Sequence, residues 1–143
     1  MKATLAAIVI TVTTLISACS KNNHCKDKAC EKTVLLNNEL YNDTKTDNYI
    51  ITDASVSGDC LEIKFGASGC DSKSWIVELV DADQITATLT PYRSLKLALT
   101  NNEMCAASFA KTVSFDLLPL RIKGSNELIL SLSGLNKTII YKY

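Results

Sequence analysis

Between residues 57 and 81 the chain twice alternates apolar and polar side chains with a period of two, and few folds accept that pattern. Leu61, Ile63 and Phe65 share one parity, while Cys60, Glu62 and Lys64 take the other. After a polar loop at 66–73, Trp75, Val77 and Leu79 lie on one side and Ile76, Glu78 and Val80 on the other. Successive side chains of an extended chain point to opposite faces, so each run is a strand with one face to bury. Trp75 has the parity of the apolar face and is expected in a core rather than as an exposed ligand platform.

The rest of the chain repeats the pattern. Residues 49–56 read as a strand with Ile50, Ala54 and Val56 on one side, and 93–99 as one with Leu95, Leu97 and Leu99 inside. Three more strands follow at 111–117, 127–132 and 137–143, with Val113, Phe115 and Leu117 on one face of the first, Leu128, Leu130 and Leu132 of the second and Ile139, Tyr141 and Tyr143 of the third; Pro119 limits the first, and Gly124 and Gly134 mark turns. Residues 33–36, with 39–41, read as an edge strand, and 102–110 as a helical turn or two at most. Short strands with turns near every ten residues point to an all-β fold, a two-sheet antiparallel sandwich of about eight strands with an immunoglobulin-like architecture.

The first eighteen residues stand apart. Lys2 supplies a basic start, residues 3–15 are apolar or Thr throughout, and Ile16-Ser17-Ala18 closes on Cys19. The apolar run is short for a bilayer span of about 20 residues and has the anatomy of a secretory signal. Small residues followed by cysteine resemble the lipobox of bacterial lipoproteins, which implies cleavage before Cys19 and attachment of lipid to its sulfur, with palmitate as an expected acyl chain. Two or more acyl chains make such an anchor stable, at about 0.8 kcal/mol per buried methylene. Three segments are therefore expected: a signal peptide at 1–18, a lipidated tether at 19–32 and a β-sandwich domain at 33–143. By the same resemblance, Ser20 after the lipidated position points to the outer membrane. Ser20-Lys21-Asn22-Asn23 lacks the acidic residues of surface-export tethers, which points to its periplasmic side.

Removing the signal leaves 125 of the 143 residues, room for one domain, and a formal charge near −1. No basic stripe is present to meet a phosphate backbone, so nucleic acid is not an expected partner. The expected partners are the membrane, through the anchor, and an envelope protein or glycan.

Disulfides persist outside the cytoplasm, so five cysteines beyond Cys19 bear on stability. Cys25 and Cys30 are close enough to pair across a small loop. With His24 they also suggest half a zinc site, but a structural zinc takes four ligands and the disulfide or loose tether is preferred. Cys70 and Cys105 each follow a strand, and a Cys70–Cys105 bridge at one end of the sandwich is expected. It would close about 35 residues and stabilise the fold by about 4 kcal/mol in the chain-entropy account. Cys60 is left as an unpaired thiol or an alternative partner for Cys105.

Beyond His24 there is no histidine, which removes Ser-His-Asp and Cys-His chemistry. A glycosidase needs only two carboxylates, so Asp71, Asp81, Asp83 and Glu103 qualify by type, though solvated turn acids are far commoner than catalytic ones. Asp81-Ala82-Asp83 lacks the oxygen-rich loop of a dedicated calcium site. No catalytic residue, metal or cofactor is assigned. The leading expectation is a non-enzymatic envelope lipoprotein acting as a structural or interaction module. The alternative is a module binding a glycan, a peptide or a protease through the loops at 66–73 and 101–107, with Ser68, Asp71, Lys73 and Glu103 as candidate contacts.

Gly58-Asp59-Cys60-Leu61-Glu62-Ile63, Ser68-Gly69-Cys70-Asp71, residues 75–79 and Phe115-Asp116-Leu117, together with the lipobox, make the chain resemble short lipoproteins of the Bacteroidetes, particularly flavobacteria. These combine a lipobox, a GDxLxI strand, an SGC loop and a closing aromatic strand. The resemblance spans most of 49–143 and implies address and fold; it transfers no active residues. Cys25 and Cys30 lie outside the shared pattern.

Overall fold

The computed structural model describes residues 29–143 except Ala87. The expected signal peptide, Cys19, His24 and Cys25 lie outside the described residues.

Among the described residues nine strands form two mixed sheets. They are β1 (Lys32–Thr33), β2 (Leu35–Leu36), β3 (Ile50–Ser57), β4 (Cys60–Gly69), β5 (Ile76–Asp81), β6 (Tyr92–Thr100), β7 (Ala107–Asp116), β8 (Glu127–Leu132) and β9 (Thr138–Lys142). One sheet has the order β1-β7-β4-β3 and the other β2-β5-β6-β8-β9. The side chains read as one apolar set do meet between them. Leu61, Ile63, Phe65, Val77, Leu79, Leu95, Leu97, Val113, Phe115, Leu117, Leu128, Leu130, Leu132 and Tyr141 are all buried. Trp75, just before β5, is buried with them, its ring 6.0 Å from that of Phe65.

The all-β sandwich stands, but it is not purely antiparallel. β1 runs parallel to β7, β2 to β5 and β6 to β8. The chain leaves β6, crosses to the other sheet as β7 and returns as β8, and two crossings restore its direction. Period two fixes the face of a strand and says nothing about its neighbours.

Other local differences have equally local causes. Residues 39–41 are helical, within α1 (Asn38–Asp43), because the Asn37 side chain caps that helix by accepting from the Leu40 N–H at 2.9 Å. The register of β3 shifts between Ile51 and Asp53, so Ile51 and Ala54 are both buried although their parities differ, and Ile50, expected on the face of Ala54 and Val56, is exposed. β4 continues to Gly69, and β7 starts at Ala107 in place of a helical turn, because those two strands pair over ten residues from Cys60↔Asp116 to Gly69↔Ala107.

The N-terminal strands tie the layers together. Val34 is buried between β1, in one sheet, and β2, in the other; its N–H donates to the Asp116 carbonyl at 3.2 Å. Cys30 is bonded to Cys60, with a Cα–Cα distance of 5.5 Å. That bond overturns both a Cys25–Cys30 pair and the readings of Cys60 as an unpaired thiol or a partner of Cys105. The reason is long-range: β1 lies beside the end of β7, and Cys60 pairs with Asp116 at that same end. Residues 30–32, expected in the tether, are therefore bound to the domain.

A buried ion pair sits at this end too. Arg93 Nη1 donates to Asp81 Oδ1 at 2.6 Å, both residues on the inward parity of their strands, and burial pushes the Asp81 carboxyl up against the opposing pull of Arg93. Asp81 is thus a structural group within the sheet layers, not a calcium ligand in a turn. Replacing Cys30 and Cys60 together by serine is expected to lower stability by about 3.5 kcal/mol, since the bond closes 30 residues of chain; chemical denaturation of oxidised wild type and variant measures it.

Candidate functional site

β4 spans about 30 Å by strand rise, so Cys60 and Cys70 mark opposite ends of the sandwich. At the far end Cys70 is bonded to Cys105, with a Cα–Cα distance of 4.8 Å. The candidate contacts Ser68, Asp71, Lys73 and Glu103 gather around this staple. They are held, however, by one another and by the backbone.

Glu103 is the centre. Its Oε2 accepts from the N–H groups of Cys70 at 2.5 Å, Asp71 at 3.2 Å and Ser72 at 3.2 Å, while Oε1 accepts from Ser74 Oγ at 2.6 Å. Three successive amides converging on one oxygen form a nest, a backbone geometry suited to anions. Ser72, with φ of 60°, supplies the left-handed step. Gly69 allows the close approach: a Cβ there would lie 2.9 Å from Trp75 Cζ2 and would also collide with the Glu103 carboxylate. Asn101 completes the lock, accepting from the Glu103 N–H at 2.9 Å and donating to the Ser68 carbonyl at 2.7 Å. Lys111 Nζ donates to the Ser72 carbonyl at 3.2 Å.

These bonds hold the Glu103 carboxyl down at about 2, with Ser74 the largest cause and the three amides adding to it. A carboxylate so acidic is badly matched to proton transfer near neutral pH. Asp71 is engaged elsewhere. It accepts from the Lys73 N–H at 3.0 Å and pairs with Lys73 Nζ at 2.9 Å, an exposed pair of the kind that contributes little to stability. Asp81 and Asp83 lie about 20 Å away along β5 by strand rise, so neither converges with Asp71 or Glu103. Among the described residues no cluster of His, Cys, Asp and Glu is placed to hold a metal ion.

Beside the lock is an open groove of about 620 Å³, bounded by Asp47, Ile50, Thr52, Ser68, Asn101 and Ser108. It lies over Gly66, where the outer face of β4 has no side chain. Tyr49 borders it from the core side. Burial pushes that phenol up to about 12; the Leu97 backbone opposes the shift from nearby, without a hydrogen bond of good geometry.

A second polar centre, not foreseen from sequence, occupies the Cys30–Cys60 end. Asp59 Oδ1 accepts from Tyr141 Oη at 2.5 Å and Arg121 Nη2 at 2.5 Å, and Arg121 Nε donates to Tyr141 Oη at 3.0 Å. The Asp59 carboxyl is held low, first by Tyr141 and then by Arg121, and burial pushes the Tyr141 phenol up to about 12. Gly58, with φ of 58°, makes the turn that presents Asp59. The aspartate of the Gly58-Asp59 turn and the aromatic closing strand, two separate marks in the sequence, are thus two halves of one hydrogen-bonded contact. Their pairing was the only available signal, and sequence does not give pairing.

No family model matches the chain, and no curated protein matches it in sequence. Solved structures share its fold, among them the following two. One is a protein of unknown function, DUF1344, from Bacteroides vulgatus, 24% identical, with a TM-score of 0.54 over 78% of this chain and 56% of the other. The second is described as a putative toxin related protein from Parabacteroides distasonis, 17% identical, with a TM-score of 0.51 over 78% of this chain and 59% of the other. The chain therefore spans less than two thirds of either. At such identities the likeness is one of fold.

Two outcomes follow from the polar centres. The folded-state pKa of Glu103 is depressed, so its contribution to stability is full above the usual 4.5 and lost as pH falls towards about 2. Glu103→Gln should flatten that acid limb in urea melts at stepped pH. Tyr141→Phe, which removes a buried donor to a charged acceptor, should cost about 2 kcal/mol by the same measurement at neutral pH.

Proposed function

We propose that this chain is an exported, lipid-anchored protein of the cell envelope whose doubly stapled sandwich is a non-enzymatic interaction module. The observation that carries the module reading is the Glu103 lock. The loop whose three amides converge as an anion-binding nest is filled by the chain's own carboxylate, so its bonds go to rigidity instead of to a ligand or a reacting group. Two disulfides support an address outside the cytoplasm, where such bonds persist. The lipobox-like run ending at Cys19 supports anchoring, with the outer membrane's periplasmic side as the proposed location. Rigid surfaces lose little conformational freedom on binding, and that suits a scaffold that presents contacts.

The groove over Gly66 favours a second reading, a binding site for a neutral glycan or peptide. Its size is within the usual range for small ligands, and its rim carries amides and hydroxyls with Asp47 as its charged member. Gly66 offers a clean probe, because a Cβ there meets only the Phe109 carbonyl oxygen at an ordinary 3.5 Å.

Replacing Cys19 by serine is expected to move the protein from the membrane fraction to the soluble fraction and to abolish fatty-acid labelling; retention of both would refute the anchor. Crosslinking pull-down from the native envelope should recover a protein partner. Binding on a glycan array, lost in Gly66→Leu with the thermal melt unchanged, would move the assignment to the groove.

A further inference from the structure

The four sheet edges are not equally protected. β3 carries a bulge and the Asp53–Lys137 ion pair at 3.0 Å. β9 is five residues long and ends on Lys142. β5 is covered by β2 at one end, and Lys32 Nζ donates to its Val77 carbonyl at 2.7 Å. Such devices are how natural sheets avoid pairing with other chains. β7 has none over most of its length. β1 reaches it only at Phe115 and Asp116, and the Cys30–Cys60 bond ties the preceding chain to β4.

The direction of the free groups follows from two bonds. The Asp116 carbonyl accepts from Val34 on the β1 side, whereas the Leu117 N–H donates to Asp59 on the β4 side. Backbone polarity alternates along a strand, so Ser108, Ala110 and Thr112 turn both N–H and C=O away from β4. All three are exposed, and among the described residues no strand but β4 is paired with them. The edge is straight, with neither bulge nor proline, and its one charge, Lys111, is on the opposite parity with its Nζ on the Ser72 carbonyl.

We propose that this edge pairs antiparallel with the same edge of a second copy of the chain, on a two-fold axis at Ala110. In that register Ala110 faces Ala110, and Ser108 faces Thr112, a hydroxyl pair that favours cross-strand contact. Lys111 faces Phe109 of the other copy rather than its own counterpart, so no like charges oppose. The outward groups would form up to about six interchain hydrogen bonds and join two four-stranded sheets into one of eight. An edge of this length buries less than the roughly 1,000 Å² of a permanent interface, so the pair is reversible. The inference does not depend on the envelope address or on a ligand.

The test uses the full-length protein, exported and extracted in mild detergent, with chemical crosslinking and amide hydrogen exchange across a concentration series. The expected result is a dimer that grows with concentration while the Ser108, Ala110 and Thr112 amides gain protection. Ala110→Pro removes an outward N–H that β4 does not use, and Ala110→Lys sets two cations across the axis. Each should weaken the dimer by at least about tenfold while the β4-facing amides of Phe109 and Lys111 stay protected. A protein monomeric throughout, or a dimer untouched by both substitutions, overturns the proposal. Protection of the edge without a dimer, at every concentration, would mean that the edge is covered within a single copy and likewise overturn it.

Discussion

Everything in this domain depends on the burial of two apolar sheet faces against each other. Leu61, Ile63 and Phe65 on one sheet and Val77, Leu79, Leu95 and Leu97 on the other are fully or almost fully out of water. Removing apolar surface from water contributes about 25 cal/mol per Å², the dominant favourable term in a fold of this kind. Neither sheet would be stable alone, since each would leave an apolar face exposed. Once the faces meet, the ends of the strands are fixed in space, and both polar centres form at those ends.

The two ends are closed by the same means with different chemistry. At one, Cys30–Cys60 joins the first strand to the sandwich, and Asp59 takes hydrogen bonds from Tyr141 and Arg121. At the other, Cys70–Cys105 joins two loops and Glu103 fills a nest of amides. In each case a covalent bond limits the unfolded chain and a carboxylate collects donors, loop amides at Glu103 and the Tyr141 and Arg121 side chains at Asp59. The functional consequence is rigidity at both tips. Among the described residues, open surface remains elsewhere, over Gly66 and along the outer edge of β7.

Much of this was legible in the residues. The parity of Leu61, Val77, Leu95, Val113, Leu128 and Ile139 identifies the buried face of every long strand but β3, because side-chain direction in a strand depends only on counting by two. β3 escapes the count because its bulge inserts a residue, and a bulge is stabilised by its partner strand rather than by its own sequence. The helix at residues 38–43 escaped for the opposite reason: one capping asparagine outweighs a short apolar run. The candidate loop residues gather as the strand ends suggest, but Glu103 points into the loop because its acceptor oxygens meet a converging set of amides that exists only after the loop has closed.

By itself, then, the sequence determined the class of fold, its buried face, and the expectation of export and a lipid anchor at Cys19, since these rest on periodicity and on a short contiguous motif. Tertiary structure alone decided the partner of Cys30, the mixed strand directions, the Asp59–Tyr141–Arg121 contact, the filling of the Glu103 nest and the exposure of one strand edge. Each of those joins residues distant along the chain, and a local pattern records which way a side chain faces without recording what it will meet.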